Sequence, residues 1–410
     1  MRKAKLLIRL TAIAAALIIM LAAFAGCALT DFLFGQGDQT TGTSSGDSSP
    51  SSDTDPVPDV PGTGADVSSS AETSEIVIIP YTTVTEPVPE ILYPDNLTGM
   101  SYPVDYTKKR PVSIVIDNLS TATPQTGISR ADILIECLAE GGITRLLLIT
   151  NKYQSNEVYG PVRSTRDYIV SLSQAFGTLM VGGGFSPTGE QMIVESTLDY
   201  IDGVHDKYAL SGFYRDPARY KASGYEHSLM ITGQGIIALA GINNYAVSGS
   251  FSRSAFKFAS EPVKPLYNTT VSEHIVLAYS EFQKVQMVYS RTEGVYYRYQ
   301  FGTRPHLDAE TGEQLRFENV LVLFAPHASI PGDDAGRISV GVTGTGTGYY
   351  AAGGMASEIV WSRADDSSPL VIKYPSGAEV TFCPGKTMIS VFPEEYNEVR
   401  SRFNINLVSS

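Results

Sequence analysis

The stretch VSIVIDN, Val112 to Asn118, opens with a short, continuous, mostly β-branched run and breaks at Asp117-Asn118, which reads as a buried strand. Working outward, Ile133 to Leu138 and Ile143 to Thr150 are two more apolar runs, and Glu140-Gly141-Gly142 between them reads as a hairpin connection. Ser164-Thr165-Arg166-Asp167 has the capping-box pattern and precedes Ile169, Leu172 and Phe176 at helical spacing, with Gly177 as the stop. Thr178 to Val181 predicts a strand. Gly182-Gly183-Gly184 leads from it into Ser186-Pro187, an N-cap followed by Pro at the first helical position, and the helix is expected to run through Gln191 to Leu198. Gly233 to Gly241 predicts a further helix. Strands alternating with helices up to about Ile242 indicate an α/β or α+β arrangement.

Beyond Val263 the texture changes. Nine short strand-like runs lie between Ile275 and Phe392, separated by turn residues such as Glu310-Thr311-Gly312 and Ser376-Gly377, and this half holds the single Trp, Trp361. No internal repeat is evident. The expected fold is therefore α+β: a sandwich-like α/β domain over residues 101–250, then a mostly-β domain over residues 263–396.

The 410 residues carry a net charge of −13, distributed unevenly. Residues 1–27 hold Arg2, Lys3, Lys5 and Arg9 and no acid; residues 28–100 hold twelve acids and no Lys or Arg, which leaves only −5 for the rest. That near balance gives nucleic-acid binding no electrostatic footprint. Leu10 to Ala25 is uncharged and ends in small residues, the pattern of a secretion signal and short for a spanning helix. Phe24-Ala25-Gly26-Cys27 follows and resembles the lipobox of bacterial lipoproteins, with Phe24 where an aliphatic residue is more usual. Cys27 is the expected lipidation site, and an uncleaved signal anchor is the alternative; either holds the protein on the extracytoplasmic face of the cell membrane. Gly35 to Pro80 has no aromatic residue and is mostly Ser, Thr, Asp, Gly and Pro, too polar to offset its ordering entropy. Residues 27–100 are thus expected to be a disordered acidic linker with an end-to-end distance of about 45–50 Å. Once Cys27 is lipidated, Cys137 and Cys383 remain, and the expectation is two buried thiols rather than a disulfide.

Arg163 and Arg166 flank the start of the helix predicted at Ser164, where the macrodipole already presents a positive end, so something negative should compensate them. One reading is a bound phosphate or carboxylate; the other is an ion pair with Asp132, Glu136 or Glu140. Gly183 and Gly184 join a strand to the helix capped by Ser186, and Asp117 would emerge at the same end of the sheet if its strand runs parallel; a tight turn needs the same glycines. Gly203 to Met230 lacks clean periodicity yet holds His205, Tyr208, Tyr214, Arg215, Asp216, Tyr220, Tyr225 and His227, suited either to a cleft rim or to packing over an apolar face. The candidate ligand-binding set is Asp117, Asn118, Arg145, Arg163, Ser164, Arg166, Gly183, Gly184, Ser186, Arg215, Asp216 and His227. His306 and Asp308 in Pro305-His306-Leu307-Asp308 fall short of a zinc site, and Thr343 to Gly348 (TGTGTG) opens no helix, so neither a metal nor a nucleotide cofactor is expected. Ser254-Ala255-Phe256-Lys257 satisfies S-x-x-K without the companion K-T-G.

PVSIVIDN (Pro111 to Asn118), GGITR (Gly141 to Arg145), GPVRSTR (Gly160 to Arg166), FYRD (Phe213 to Asp216), GTRPHLDAETGEQLRFENVLV (Gly302 to Val322) and PGKTMISVFP (Pro384 to Pro393) together resemble the YerB family. These are lipoproteins of Gram-positive bacteria with a two-part extracellular region. The resemblance covers nearly all the chain after Met100. It implies an α/β first part and a β-rich second part, supports the lipobox, and brings no established activity. The chain departs from the family pattern at Gly184-Phe185-Ser186 and at His227-Ser228, which weighs against a catalytic role for His227. The expected function is a non-catalytic, membrane-tethered binding or assembly protein of the envelope, with a wall polymer, carbohydrate, peptide or envelope protein as partner. A wall-acting hydrolase with His227 or Asp216 as the acid–base group and a solute receptor are the alternatives.

Overall fold

A computed structural model describes residues 91–153, 156–251, 256–396 and 403–405. The signal segment, Cys27, most of the acidic linker and Ser254-Ala255 lie outside the described residues.

The organising element is one mixed sheet, eleven-stranded among the described residues, that takes strands from both halves of the chain. From the first half come β1 (Val112–Asp117), β2 (Ile133–Leu138), β3 (Thr144–Thr150), β4 (Leu179–Gly182) and β5 (Tyr200–Asp202). From the second come β6 (Thr270–Val271), β10 (Asn319–Ala325), β11 (Gly344–Ala352), β12 (Met355–Arg363), β13 (Val371–Lys373) and β14 (Thr387–Pro393), while β7 (His274–Ala278), β8 (Lys284–Ser290) and β9 (Val295–Gln300) belong to a second sheet. The order in the main sheet is β6-β12-β11-β10-β14-β2-β3-β1-β4-β5, with β13 on β12. The seam between the halves is the parallel pair β14 and β2, in register from Thr387 opposite Ile133 to Val391 opposite Cys137.

The continuous apolar runs are the strands at this seam, because they are covered on both faces. Every residue of β1, β3, β10 and β14 is buried. Alternate residues serve the two sides. Ile114, Ile116, Leu146 and Leu148 face α4 (Gly233–Ile242) and the second sheet, while Val115, Leu147 and Ile149 pack with Tyr168, Ile169 and Leu172 of α1 (Asp167–Ala175). Each such large apolar side chain contributes about 1.5–3 kcal/mol on burial. Cys137 and Cys383 are both free and buried.

Local readings mostly hold, with three corrections. First, α1 begins at Asp167 with Arg166 as its N-cap residue and no side-chain cap, so Ser164 is not the cap; its hydroxyl instead accepts from Arg166 Nη1 at 3.0 Å. Second, α2 (Pro187–Glu195) is capped by Ser186 as expected, through Gly189 N at 3.1 Å, but ends at Glu195. Beyond it the Ser196 hydroxyl turns back to the Ile193 carbonyl. Third, residues 203–230, which lack clean periodicity and so read as a loop, hold regular elements. They include a strand (Phe213–Arg215), the helix α3 (Pro217–Ser223) and the start of the strand Leu229–Thr232. Asp216-Pro217 starts α3 with the same N-cap and Pro signal as Ser186-Pro187. The helix buries no residue, so it lacks the apolar stripe that periodicity detects. The TGTGTG stretch is the first part of β11, where a Cβ at Gly346 would lie 2.5 Å from the Trp361 indole.

Candidate functional site

β1 and β4 run parallel, so Asp117 and Gly182 leave the sheet at the same end. The GPVRSTR segment closes over that end. Asp117 N donates to Pro161 O, Arg163 N to Val115 O, Gly183 N to Arg163 O and Thr165 N to Gly184 O, each at 2.9 Å. This backbone stitching sets Arg163 and Arg166 beside the hairpin that carries Glu140 and Arg145.

Three arginines and two inner carboxylates meet there. Asp117 is fully buried; its Oδ2 lies 2.7 Å from His227 Nδ1 and 3.3 Å from Arg163 Nε, and its Oδ1 accepts from Leu119 N at 3.1 Å. Burial alone would raise its pKa, but the His227 hydrogen bond and the charges of Arg145 and Arg163 outweigh it and hold the carboxyl below its ordinary value. Arg166 grips Glu140 with two nitrogens, Nε at 3.1 Å and Nη2, which is the ion pair offered above as the alternative to a bound anion. Arg163 Nη2 reaches Glu226 Oε2 at 3.1 Å, and that glutamate side chain is 69% exposed.

Arg145 is different. It is 1% exposed, yet its nearest carboxylate oxygens are Asp117 Oδ1 at 3.8 Å and Glu140 Oε1 at 4.0 Å. Among the described residues its one side-chain hydrogen bond is a long 3.5 Å contact to the Thr144 carbonyl, and its Nε has no partner. Burial lowers its pKa, and the like charges of Arg163 and Arg166 add to that while Asp117 opposes it. Arg363, just as buried, instead makes five hydrogen bonds to Ser368, Ser171, Val342 and Asp366.

The structure brings Asp117, Arg145, Arg163, Ser164, Arg166 and His227 together and places the other candidates elsewhere. Asn118 turns inward, donating to Glu136 at 3.1 Å and Thr144 at 2.8 Å. A Cβ at Gly183 would lie 2.8 Å from Leu229, and Gly184 takes φ +84° with its N–H on Asp202, so the glycine turn is filled by protein. Ser186 and Asp216 cap helices, and Arg215 stacks 3.7 Å over Tyr225 while donating to its carbonyl. His205 pairs with Asp202 at 2.7 Å and stacks on Phe185.

Sequence reasoning missed the polar network beneath the site. Glu136 and Arg298, both 0% exposed, pair at 2.7 Å across the two halves. Arg298 Nη1 donates to His306 Nδ1, His306 Nε2 meets Gln125 Oε1 at 2.8 Å, and Gln125 Nε2 donates to the Asp117 carbonyl at 2.8 Å. His306 is thereby a core residue, and burial together with Arg298 and Arg304 pushes its pKa well below the ordinary histidine value. Asp308 caps the turn at Gly127 and Ser129. Among the described residues no group of three potential metal ligands occurs, and no helix is long and apolar enough to cross a membrane.

Two family profiles match the chain in succession, the N-terminal domain and the C-terminal domain of "Protein of unknown function (DUF3048)", over residues 97–246 and 275–389. A Bacillus subtilis (strain 168) protein named "Putative lipoprotein YerB" is 31% identical over 304 residues, covering 73% of this chain and 86% of that protein. The crystal structure of YerB protein from Bacillus subtilis aligns with a TM-score of 0.63 at 29% identity, over 73% of this chain and 96% of that one. The chain belongs to this family, and the lipoprotein resemblance and the α+β class read from the sequence stand with it.

Proposed function

Taking membership of the DUF3048 family as the premise, we propose that the protein is a lipid-anchored binding or assembly protein on the extracytoplasmic face of the membrane, and that its ligand presents an anionic group to Arg145, Arg163 and Arg166. The anchor rests on Cys27 in its lipobox and on the lipoprotein name of the relative. The observation that carries the ligand reading is Arg145, a buried guanidinium whose Nε is unpartnered and whose neighbouring carboxylates stand off at 3.8 and 4.0 Å. Five fixed donors with one long hydrogen bond leave a desolvation cost that a carboxylate or phosphate would offset. Glu226 is the gate. Its pair with Arg163 is exposed, and such pairs contribute about 0–1 kcal/mol, so an incoming anion can replace it.

Binding fits better than acid–base hydrolysis because Asp216 is spent as a helix cap and Asp117, its pKa lowered by His227 and two arginines, is a poor general acid. The test is retention of the full-length protein, in detergent, on purified wall polymers and membrane extracts. Anionic polymer should retain the wild type and release Arg163→Ala, with near-ultraviolet circular dichroism confirming that the variant is folded because Arg163 also faces the buried Asp117. Equal retention of both proteins, or equal retention on neutral glycan, refutes the reading.

A further inference from the structure

Two of the motifs quoted for the family resemblance, residues 302–322 and 384–393, play no part in the arginine cluster. They meet instead at a cavity of about 340 Å³, at the small end of ligand-pocket volumes, with Ser129 from the first half of the chain on its wall. Lys386 lines it. Gly385, at φ +138°, is the residue that lets it do so: a Cβ there would lie 2.3 Å from the Glu318 carboxyl, which accepts the Lys386 backbone N–H at 2.6 Å. The Lys386 ammonium donates to the Ser129 carbonyl at 2.5 Å, and no described carboxylate comes within ion-pair distance of it. A mostly buried ammonium with one of three protons placed is an incomplete arrangement.

We propose that this cavity binds a small zwitterion, a free amino acid or a dipeptide, with its carboxylate on Lys386 and its ammonium toward Glu313 and Glu318. The charges on the wall argue for that class. Arg316 pairs with Glu293 at 3.1 Å on the exposed rim, so Lys386 is the mostly buried cation of the wall, while Glu313 and Glu318 would repel a phosphate or a dicarboxylate. Leu315 and Phe317 supply an apolar floor for a short side chain. The site is separate from the arginine cluster and stands without it.

The experiment is competitive acetylation of the full-length protein with trace acetic anhydride, read by mass spectrometry, with exposed Lys257 and Lys373 as internal references. Burial holds the Lys386 pKa below the ordinary lysine value, so its labelling rate is compared with those of the exposed references at one fixed pH. The probes are alanine, alanyl-alanine, N-acetylalanine, ethylamine, acetate and inorganic phosphate. Alanine or alanyl-alanine at millimolar concentration should slow Lys386 labelling about tenfold without affecting the references, and which of the two is stronger separates amino acid from dipeptide. N-acetylalanine, ethylamine and acetate should each protect less. Lys386→Met should abolish calorimetric binding of the protecting probe. Glu313→Gln, at an exposed position, should weaken the zwitterions and leave N-acetylalanine unchanged. No protection by either zwitterion, or equal protection by acetate or phosphate, overturns the proposal.

Discussion

His306 offers a test whose size follows from hydrogen-bond geometry. Arg298 can only donate, so His306 Nδ1 must accept, and Nε2 then carries the proton it gives to Gln125 Oε1. The native ring is therefore neutral, fully buried, and held well below the ordinary histidine pKa by burial and by the neighbouring arginines. The sign is fixed. Above pH 6.5 both states hold a neutral ring; below it the unfolded chain takes up a proton that the native site refuses. The contribution is thus present above the unfolded pKa and lost as pH falls from there toward the depressed native value. One proton is about 1.4 kcal/mol per pH unit, so between pH 7 and pH 5 the wild type should lose about 2 kcal/mol through this residue alone. The assay is urea denaturation of the full-length protein and of His306→Gln at both pH values. The wild type should lose about 2 kcal/mol more than the variant, since His327, whose pKa is also lowered, contributes equally to both. Parallel losses would refute the reasoning. So would native-state NMR that finds His306 doubly protonated at pH 5, a measurement that needs no variant.

Two further outcomes are expected. Glu226→Gln removes the exposed carboxylate that pairs with Arg163, so affinity for an anionic polymer should rise up to about fivefold, the equivalent of an exposed pair; weaker binding would mean that Glu226 supports the site rather than shielding it. Gly346→Ala places a methyl 2.5 Å from the indole of Trp361, whose Nε1 donates to Phe324 O at 2.9 Å. Overpacking there should cost about 1–3 kcal/mol and shift the emission of the single Trp, and an unchanged spectrum with unchanged stability would contradict the packing described.

What the sequence made legible was whatever rests on neighbours along the chain. VSIVI, ILIECL and the run ending at Thr150 are strands because continuous β-branched and aliphatic stretches have few other stable uses, and Ser186-Pro187 declares its helix through a cap that is purely local. The same locality explains the misses. β2 and β14 are more than 250 residues apart, and both are buried on two faces, so neither carries an alternation from which partner or register could be read. Arg163 and Arg166 were visible as a cation pair at a helix start. Which of them would hold Glu140 and which Glu226 depended on where the hairpin and the turn at Tyr225–His227 come to rest. Arg145 stands in GGITR as an ordinary residue, and only its burial without a close carboxylate distinguishes it.

The seam bears on whether the two halves, each matched by its own family profile, can exist apart. In residues 91–251 alone, β2 would lose its outer neighbour β14 and present a bare parallel edge, with Ile133, Ile135 and Cys137 stripped of the cover that Ile389 and Val391 give them. Glu136 would also lose Arg298. Removing one partner of a fully buried pair costs about 3–5 kcal/mol, a large part of the net stability of a domain this size, before any apolar exposure is counted. The isolated segment should therefore aggregate or lack near-ultraviolet circular dichroism, and co-expression with residues 256–410 should restore a soluble complex. A soluble, cooperatively unfolding segment would show that the sheet closes at β2 without its partner, and the account of the seam given above would fall with it.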